Sequence, residues 1–329
     1  MFGVLGYFLA LGVALSHAGF LSKYLSFSVG VFCVIIFFLL AGYTMTFLWS
    51  TRYIFSTNIS NYFFERLTRI YPQYLFFLIL TMILIYLGII KTDLVVPNNL
   101  IYHLYNLSII PLDFYMWDDN LKNYIILPAT WSLGLEMMFY LFFPFILFNN
   151  MIFKISFIGS LAIFLLAFTE ILNTEIWGYR FLPGVLFIFL TGSLIFKYIN
   201  KKTLFNTLLL FGVYIFVTIL FITMLIFNFD QGYMIEVTSG FIVGVPLVYF
   251  LSLQNRRNKI DEFLGNLSYG IFLSHFIFIW AYQTLPFGLP SYIYFPLFII
   301  IVSIVGFIGY KFIERPFRNI SVIKKIAMR

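Results

Sequence analysis

The sequence predicts an all-α fold: a polytopic membrane bundle of about ten transmembrane helices, with both termini cytoplasmic. Three observations predict it. Of the 329 residues, 62% are hydrophobic and only 10% are charged, whereas a soluble domain usually carries about 25% charge. Apolar runs of roughly 18 residues or more, long enough to cross a bilayer, recur from end to end. The basic residues between those runs crowd onto one side of the membrane.

The runs fall at roughly 2–20, 27–49, 70–90, 129–148, 152–172, 181–197, 204–228, 232–252, 263–285 and 291–313. The first lacks a basic leading region and a small-residue cleavage site, so it is expected to be a retained span and not a signal peptide. With the N-terminus inside, only Lys23, Lys91, Lys122 and Arg180 of the 20 Lys and Arg fall outside. Adding or removing one span would put consecutive basic loops on opposite sides, so the bias also supports an even number. The formal charge of +7 therefore belongs to cytoplasmic loops and points to no nucleic acid. Lys324, Lys325 and Arg329 in the tail are expected to touch anionic lipid. Cys33 is the only cysteine, which excludes an intramolecular disulfide and a cysteine metal cluster. The 45 phenylalanines read as lipid-facing surface and interhelical packing.

One domain is expected over residues 1–329, with two connections that stand apart. The inside loop 50–69 ends in a short interfacial helix, Asn58 to Arg69. The outer connection 91–128 carries Asp93, Asp113, Asp118 and Asp119 with Tyr102, Tyr105, Tyr115, Trp117 and Tyr124. Acids mixed with aromatics suit a sugar; the alternative is a solvated cap with an interfacial aromatic belt.

Arg66 to Tyr74 reads R-L-T-R-I-Y-P-Q-Y. Arg66 and Arg69 are three residues apart and share a helix face. Arginine's planar fork suits phosphate, so an anion site at the mouth of a span is one reading; anchorage to lipid headgroups is the other. Pro72 is expected in the first turn of the following span, where its missing N–H costs nothing.

Charged groups inside spans are costly and face protein interior or a cavity. Glu136 lies in P-A-T-W-S-L-G-L-E-M-M-F-Y, on a helix opened by Pro128, about 12 Å from the outer face. His17 ends the first span near the same face. A histidine held by a carboxylate is a general-base arrangement; the alternative is an interfacial histidine and a glutamate satisfied by a neighbouring helix. His275, midway along the ninth span, either packs or lines the same cavity, and His103 is expected to be solvated in the outer connection. Histidines on separate segments argue against zinc, so no metal is expected. No phosphate-binding glycine loop occurs.

Four pieces of the chain, in order, resemble the membrane acyltransferase-3 family, whose members O-acylate cell-surface glycans. They are His17 with S-V-G-V-F-C-V-I-I-F-F-L-L-A-G-Y-T, where Ala41 replaces the usual serine; Arg66-x-x-Arg69-Ile70-x-Pro72-x-Tyr74; Trp131-Ser132-Leu133-x-x-Glu136-x-x-Phe139-Tyr140; and L-G-N-L-S-Y-G-I-F-L-S-H from Leu264 to His275, with a last span closing on Glu314-x-Pro316. Together they cover nearly the whole chain. The family often has an arginine about ten residues before the histidine; here that neighbourhood reads V-L-G-Y-F.

The resemblance implies a multi-pass protein of the bacterial inner membrane that uses acyl-CoA, acetyl-CoA first, as donor and a glycan of the cell envelope, such as lipopolysaccharide, as acceptor. Arg66, Arg69 and Tyr74 would hold the donor from the cytoplasmic side. His17, oriented by Glu136, would take the proton from a sugar hydroxyl arriving from outside. Trp131, Ser132, Tyr140, Ser268, Tyr269 and His275 would line the cavity, built by spans one to four and nine. Membrane lipids are the other partners, and a homodimer is allowed. Some relatives carry a hydrolase-like domain that is not read in this sequence, so the outer loops or a separate partner would complete the acceptor site. Two other classes fit the bare span count. A proton-coupled secondary transporter would also hold an intramembrane glutamate, but such folds carry internal repeats with matched helix breaks, and Pro144 has no counterpart. A non-enzymatic scaffold draws support from the missing first-span arginine.

Overall fold

A computed structural model describes residues 2–20, 26–52, 59–94, 99–229, 231–254, 258–284 and 289–318, with the Phe148 side chain excepted. Lys23, Arg256, Arg257, Lys324, Lys325 and Arg329 lie outside the described residues, as does Asn58 at the start of the expected interfacial helix.

Every regular element among the described residues is helical. In chain order they are α1 (Phe2–His17), α2 (Val29–Arg52), α3 (Ile59–Tyr86), α4 (Leu100–Ser108), α5 (Asp119–Tyr124), α6 (Thr130–Phe148), α7 (Asn150–Phe168), α8 (Leu182–Asn200), α9 (Leu204–Phe227), α10 (Met234–Ser252), α11 (Lys259–Thr284) and α12 (Ser291–Ile308). Each expected span has its helix: α1, α2, α3 and α6 to α12. Among the described residues nine helices are long and apolar enough to cross a membrane, and α1 is a shorter apolar helix. The protein is a polytopic helical membrane protein.

Two elements differ from expectation. Residues 59–86 form one continuous helix of 28 residues with Pro72 inside it, not an interfacial helix followed by a span. Pro72 therefore removes a donor from the helix interior and leaves the Thr68 carbonyl without its helical partner. Membrane helices tolerate this where neighbouring groups take up the freed carbonyl.

The connection 91–128 is the second difference, because its described residues make a folded piece. The Tyr71 hydroxyl donates to the Ser108 carbonyl at 3.2 Å, and Tyr74 donates to the Asn106 carbonyl. The C-terminal end of α4 thus lies beside the middle of α3, roughly 18 Å along its axis from Tyr86. The buried Asn106 ties the connection together. Its amide donates to the carbonyls of Tyr102 and Tyr124 at 2.9 and 2.8 Å, and its oxygen accepts from the Ile126 N–H at 3.1 Å. Leu112, Leu121 and Ile125 make a small core on which Tyr102, Tyr105 and Tyr115 pack. Asp118 caps α5, and Asp113 is fully buried in a 3-10 turn, Ile110–Phe114. Most of the residues read as a sugar surface are therefore committed to the connection itself; Asp93, Asp119 and Trp117 stay exposed.

The helices sort into two compact units. The first holds residues 1–2, 21–56 and 138–258, so α2, most of α6, and α7 to α10. Here α2 packs on α8 and α10 through glycines. A methyl group on Gly42 would overlap the Phe189 backbone, and one on Gly192 would lie 2.8 Å from the Tyr43 nitrogen. Small residues let backbones approach where lipid supplies no hydrophobic drive. The buried Glu236 accepts the Ser28 N–H at 2.7 Å, at the start of α2.

The second unit holds residues 3–20, 57–137 and 259–329. The helices α1 and α11 run parallel from a shared start: the Val4 N–H donates to Asp261 Oδ1 at 2.9 Å, and a methyl on Gly265 would lie 2.7 Å from the Gly3 Cα. Helices α11 and α12 touch where a methyl on Gly270 would lie 2.6 Å from the Gly306 Cα. Tyr7 and Ser303 share a hydrogen bond of 2.9 Å between α1 and α12. A π-helical segment, Gly309–Glu314, continues α12 and packs on α3 beside Gln73 and Phe77.

Candidate functional site

Every expected site residue except Tyr140 belongs to the second unit. Tyr140 is buried four residues beyond Glu136, in the part of α6 assigned to the first unit.

His17 is the last residue of α1 and is exposed; His275 on α11 is fully buried. His17 Nδ1 lies 3.0 Å from His275 Nε2. The ring centroids are 5.2 Å apart with planes inclined by 7°. That separation is about the N···N distance plus two ring radii, so the rings meet edge to edge in nearly one plane. This is N–H···N geometry, not a face-to-face stack. Phe276 packs on both rings, at 4.9 and 4.6 Å. His275 is thus a ring partner of His17, in addition to the Glu136 that the sequence suggested. His275 lies well inside its helix, as expected, and His17 meets it at that level. Thr284, the last residue of α11, is nine residues beyond His275, which places His275 about 13 Å short of that end.

Six residues, nearly two turns, before His275 on the same helix, Tyr269 donates its hydroxyl to the Ile70 carbonyl of α3 at 3.0 Å. Glu314, Tyr74, Glu136 and Arg69 all lie within electrostatic range of that hydroxyl. The arginine motif and the glutamate motif therefore share one neighbourhood, although the sequence placed them in opposite halves of the membrane. The connection 91–128 runs beside α3, where Ser108 and Asn106 meet Tyr71 and Tyr74, before α6 begins at Thr130.

The buried Glu314 is held by Arg318 at 3.3 Å and lies in range of Arg69. Arg69 is exposed and Arg66 is buried, so the two guanidiniums straddle a boundary and do not offer a matched pair. Tyr74 is fully buried and its hydroxyl donates to the Asn106 carbonyl. Ser132 donates to the carbonyl of Ala129, just ahead of α6, at 3.0 Å, and Ser268 to that of Gly265, within α11, at 2.8 Å. Trp131 is half-buried, its ring centroid 6.5 Å from that of Tyr115. Gly134 gives the reason for a glycine in W-S-L-G-L-E: a methyl there would lie 2.9 Å from the Ile109 carbonyl, where the connection rests on α6.

Two residues were missed. Glu314 closes a recognised pattern but was given no partner, since nothing in sequence places it beside Arg69. Gln73 stands at an unspecified position of the arginine motif. It is fully buried, and among the described residues neither its amide nitrogen nor its oxygen is hydrogen-bonded. A polar side chain on a buried stripe was the available signal.

Helices of this length, with ionisable and histidine side chains gathered inside one unit, define a multi-pass membrane protein with an internal polar site. The profile of the acyltransferase 3 family, described as an acyltransferase domain, matches residues 5–313, and the chain belongs to that family. A protein of Staphylococcus aureus (strain COL) named "Putative O-acetyltransferase" is 26% identical over 321 residues, covering 86% of this chain and 52% of the relative. An uncharacterized protein of Aquifex aeolicus (strain VF5) is 36% identical over 159 residues, covering 48% of this chain and 72% of that protein. The chain thus spans about half the length of the staphylococcal relative. No solved structure matches it.

Proposed function

We propose that this chain is an acyl-CoA-dependent O-acyltransferase of the bacterial inner membrane. It moves an acyl group, acetyl in the simplest case, from the cytoplasmic side to a hydroxyl of a cell-surface or lipid-linked glycan on the outer face. The observation that carries the reading is the exposed His17 ring, hydrogen-bonded to a buried partner in the same unit as the Arg66/Arg69 motif. Family membership supports acyl transfer, and the name of the staphylococcal relative supports acetyl and an oxygen acceptor.

In this reading Arg69, the exposed guanidinium, meets donor phosphate, and the buried Arg66 braces α3. A ring nitrogen of His17 takes the proton from the acceptor hydroxyl as its oxygen attacks the thioester carbonyl. The C–S bond breaks, and the proton returns from His17 to the departing thiolate. Tyr269 acts at the donor end, with Arg69 and Glu136 in electrostatic range of its hydroxyl.

The test is donor binding by purified protein in detergent. Acetyl-CoA is expected to raise the melting midpoint, since a ligand that binds only the folded state stabilises it. Arg69→Ala is expected to abolish that rise while the unliganded midpoint stays put. No rise for wild type with any acyl-CoA overturns the donor assignment.

A further inference from the structure

We propose that His275 is the positioning residue of the site: it fixes the tautomer of His17, so that the basic nitrogen of His17 is Nε2. The role of His17 as base rests on the function proposed above; the tautomer does not.

The argument follows one chain of atoms. His275 Nδ1 lies 3.2 Å from the Ile271 carbonyl, one turn back on α11. A carbonyl only accepts, so His275 Nδ1 carries a hydrogen. Full burial holds the ring neutral, and a neutral imidazole has only one N–H. His275 Nε2 is therefore a lone pair, and the atom 3.0 Å from it must donate. That atom is His17 Nδ1. The hydrogen on His17 Nδ1 leaves Nε2 as the basic nitrogen of the neutral ring. Nothing changes at the contact when His17 takes up a proton, because imidazolium donates from both nitrogens.

The arrangement does by a neutral ring what a carboxylate does elsewhere: it holds a histidine in one tautomer and one orientation. It differs in charge. A carboxylate would raise the basicity of His17 and hold the imidazolium, which then gives up its proton less readily to the thiolate. A buried neutral imidazole orients the ring without that attraction. The near-coplanar rings and the one Phe276 ring packed against both of them fix the geometry. Moving the hydrogen of His275 to Nε2 would keep the ring neutral but set a bare Nδ1 lone pair against the Ile271 carbonyl, two acceptors facing each other.

The test reads the ring nitrogens directly. The chain has 3 histidines, so ¹⁵N-histidine protein carrying His103→Gln shows only His17 and His275. In lipid nanodiscs at a pH where both rings are neutral, wild-type-like protein is expected to show hydrogen on Nδ1 of both. In His275→Phe, which keeps a ring in place but removes the acceptor, His17 is expected to shift towards hydrogen on Nε2. Acyl transfer in that variant should fall by about 100-fold or more in kcat, with KM for acyl-CoA unchanged. His275→Gln, whose amide oxygen can accept the same hydrogen, should restore the Nδ1–H signal and part of the rate. Hydrogen on His17 Nε2 in the parent protein overturns the proposal, whatever the activity. So does an unaltered His17 signal in His275→Phe. Absence of acyl transfer in the parent would instead count against the function and leave the nitrogen spectra to decide this point.

Discussion

Gly42 gives the sharpest test of the packing. A methyl group there would lie 2.6 Å from the Phe189 carbonyl carbon and 3.1 Å from its Cα, and closer still to the oxygen. Carbon atoms pack at about 3.5–4.0 Å, so Gly42→Ala forces α2 and α8 apart by about 1 Å. The obstacle is helix backbone, which cannot rotate away as a side chain would. Overpacking of a filled interior costs about 1–3 kcal/mol, and a rigid obstacle puts the cost near 3 kcal/mol. Gly159→Ala is the control, since nothing lies within 4 Å of that position. There the substitution should gain roughly 0.5–1 kcal/mol from helix propensity. Both variants would be purified in the same detergent and unfolded by heat, followed by tryptophan fluorescence. Gly42→Ala should melt several degrees below wild type and Gly159→Ala at or above it. Equal midpoints for the two would refute the close contact of α2 with α8.

Two further outcomes are expected. Asn106→Leu strips hydrogen bonds from the Tyr102 and Tyr124 carbonyls and the Ile126 N–H, each worth about 1 kcal/mol and more where burial leaves the group unsatisfied; limited proteolysis should then cut within 91–128 far faster, while a cleavage pattern like that of wild type would show the connection is held otherwise. Gln73→Met replaces a buried amide with no hydrogen bond among the described residues by an apolar chain of similar length, so the melting midpoint should hold or rise; a fall of several degrees would show that the amide has a partner.

The spans were legible because lipid imposes a simple rule, about twenty apolar residues per crossing, and all ten runs became helices. The positions of two motifs were not. Pro72 marks a helix start in most sequences, yet here α3 passes through it, because a membrane helix can absorb a lost hydrogen bond. Glu136 follows a connection held by Asn106 and its long-range bonds to Tyr74 and Ile126, which no local pattern encodes. The same holds for the His17–His275 contact, made between residues 258 apart in sequence. A carboxylate is the usual partner for a catalytic histidine, so Glu136 was the natural expectation. Only the parallel packing of α1 on α11 brings His275 to the right level. Arg66 and Arg69 both lie on α3, and spacing alone does not tell that Arg66 is the one buried.

The central claim is acyl transfer that needs both His17 and Arg69. The most direct measurement is mass spectrometry of surface glycans from cells expressing wild type, His17→Ala or Arg69→Ala at matched membrane levels. The account predicts an added acyl mass, 42 Da for acetyl by the chemistry of ester formation, with wild type alone. An acyl mass that persists in His17→Ala, or none in wild type, would contradict it.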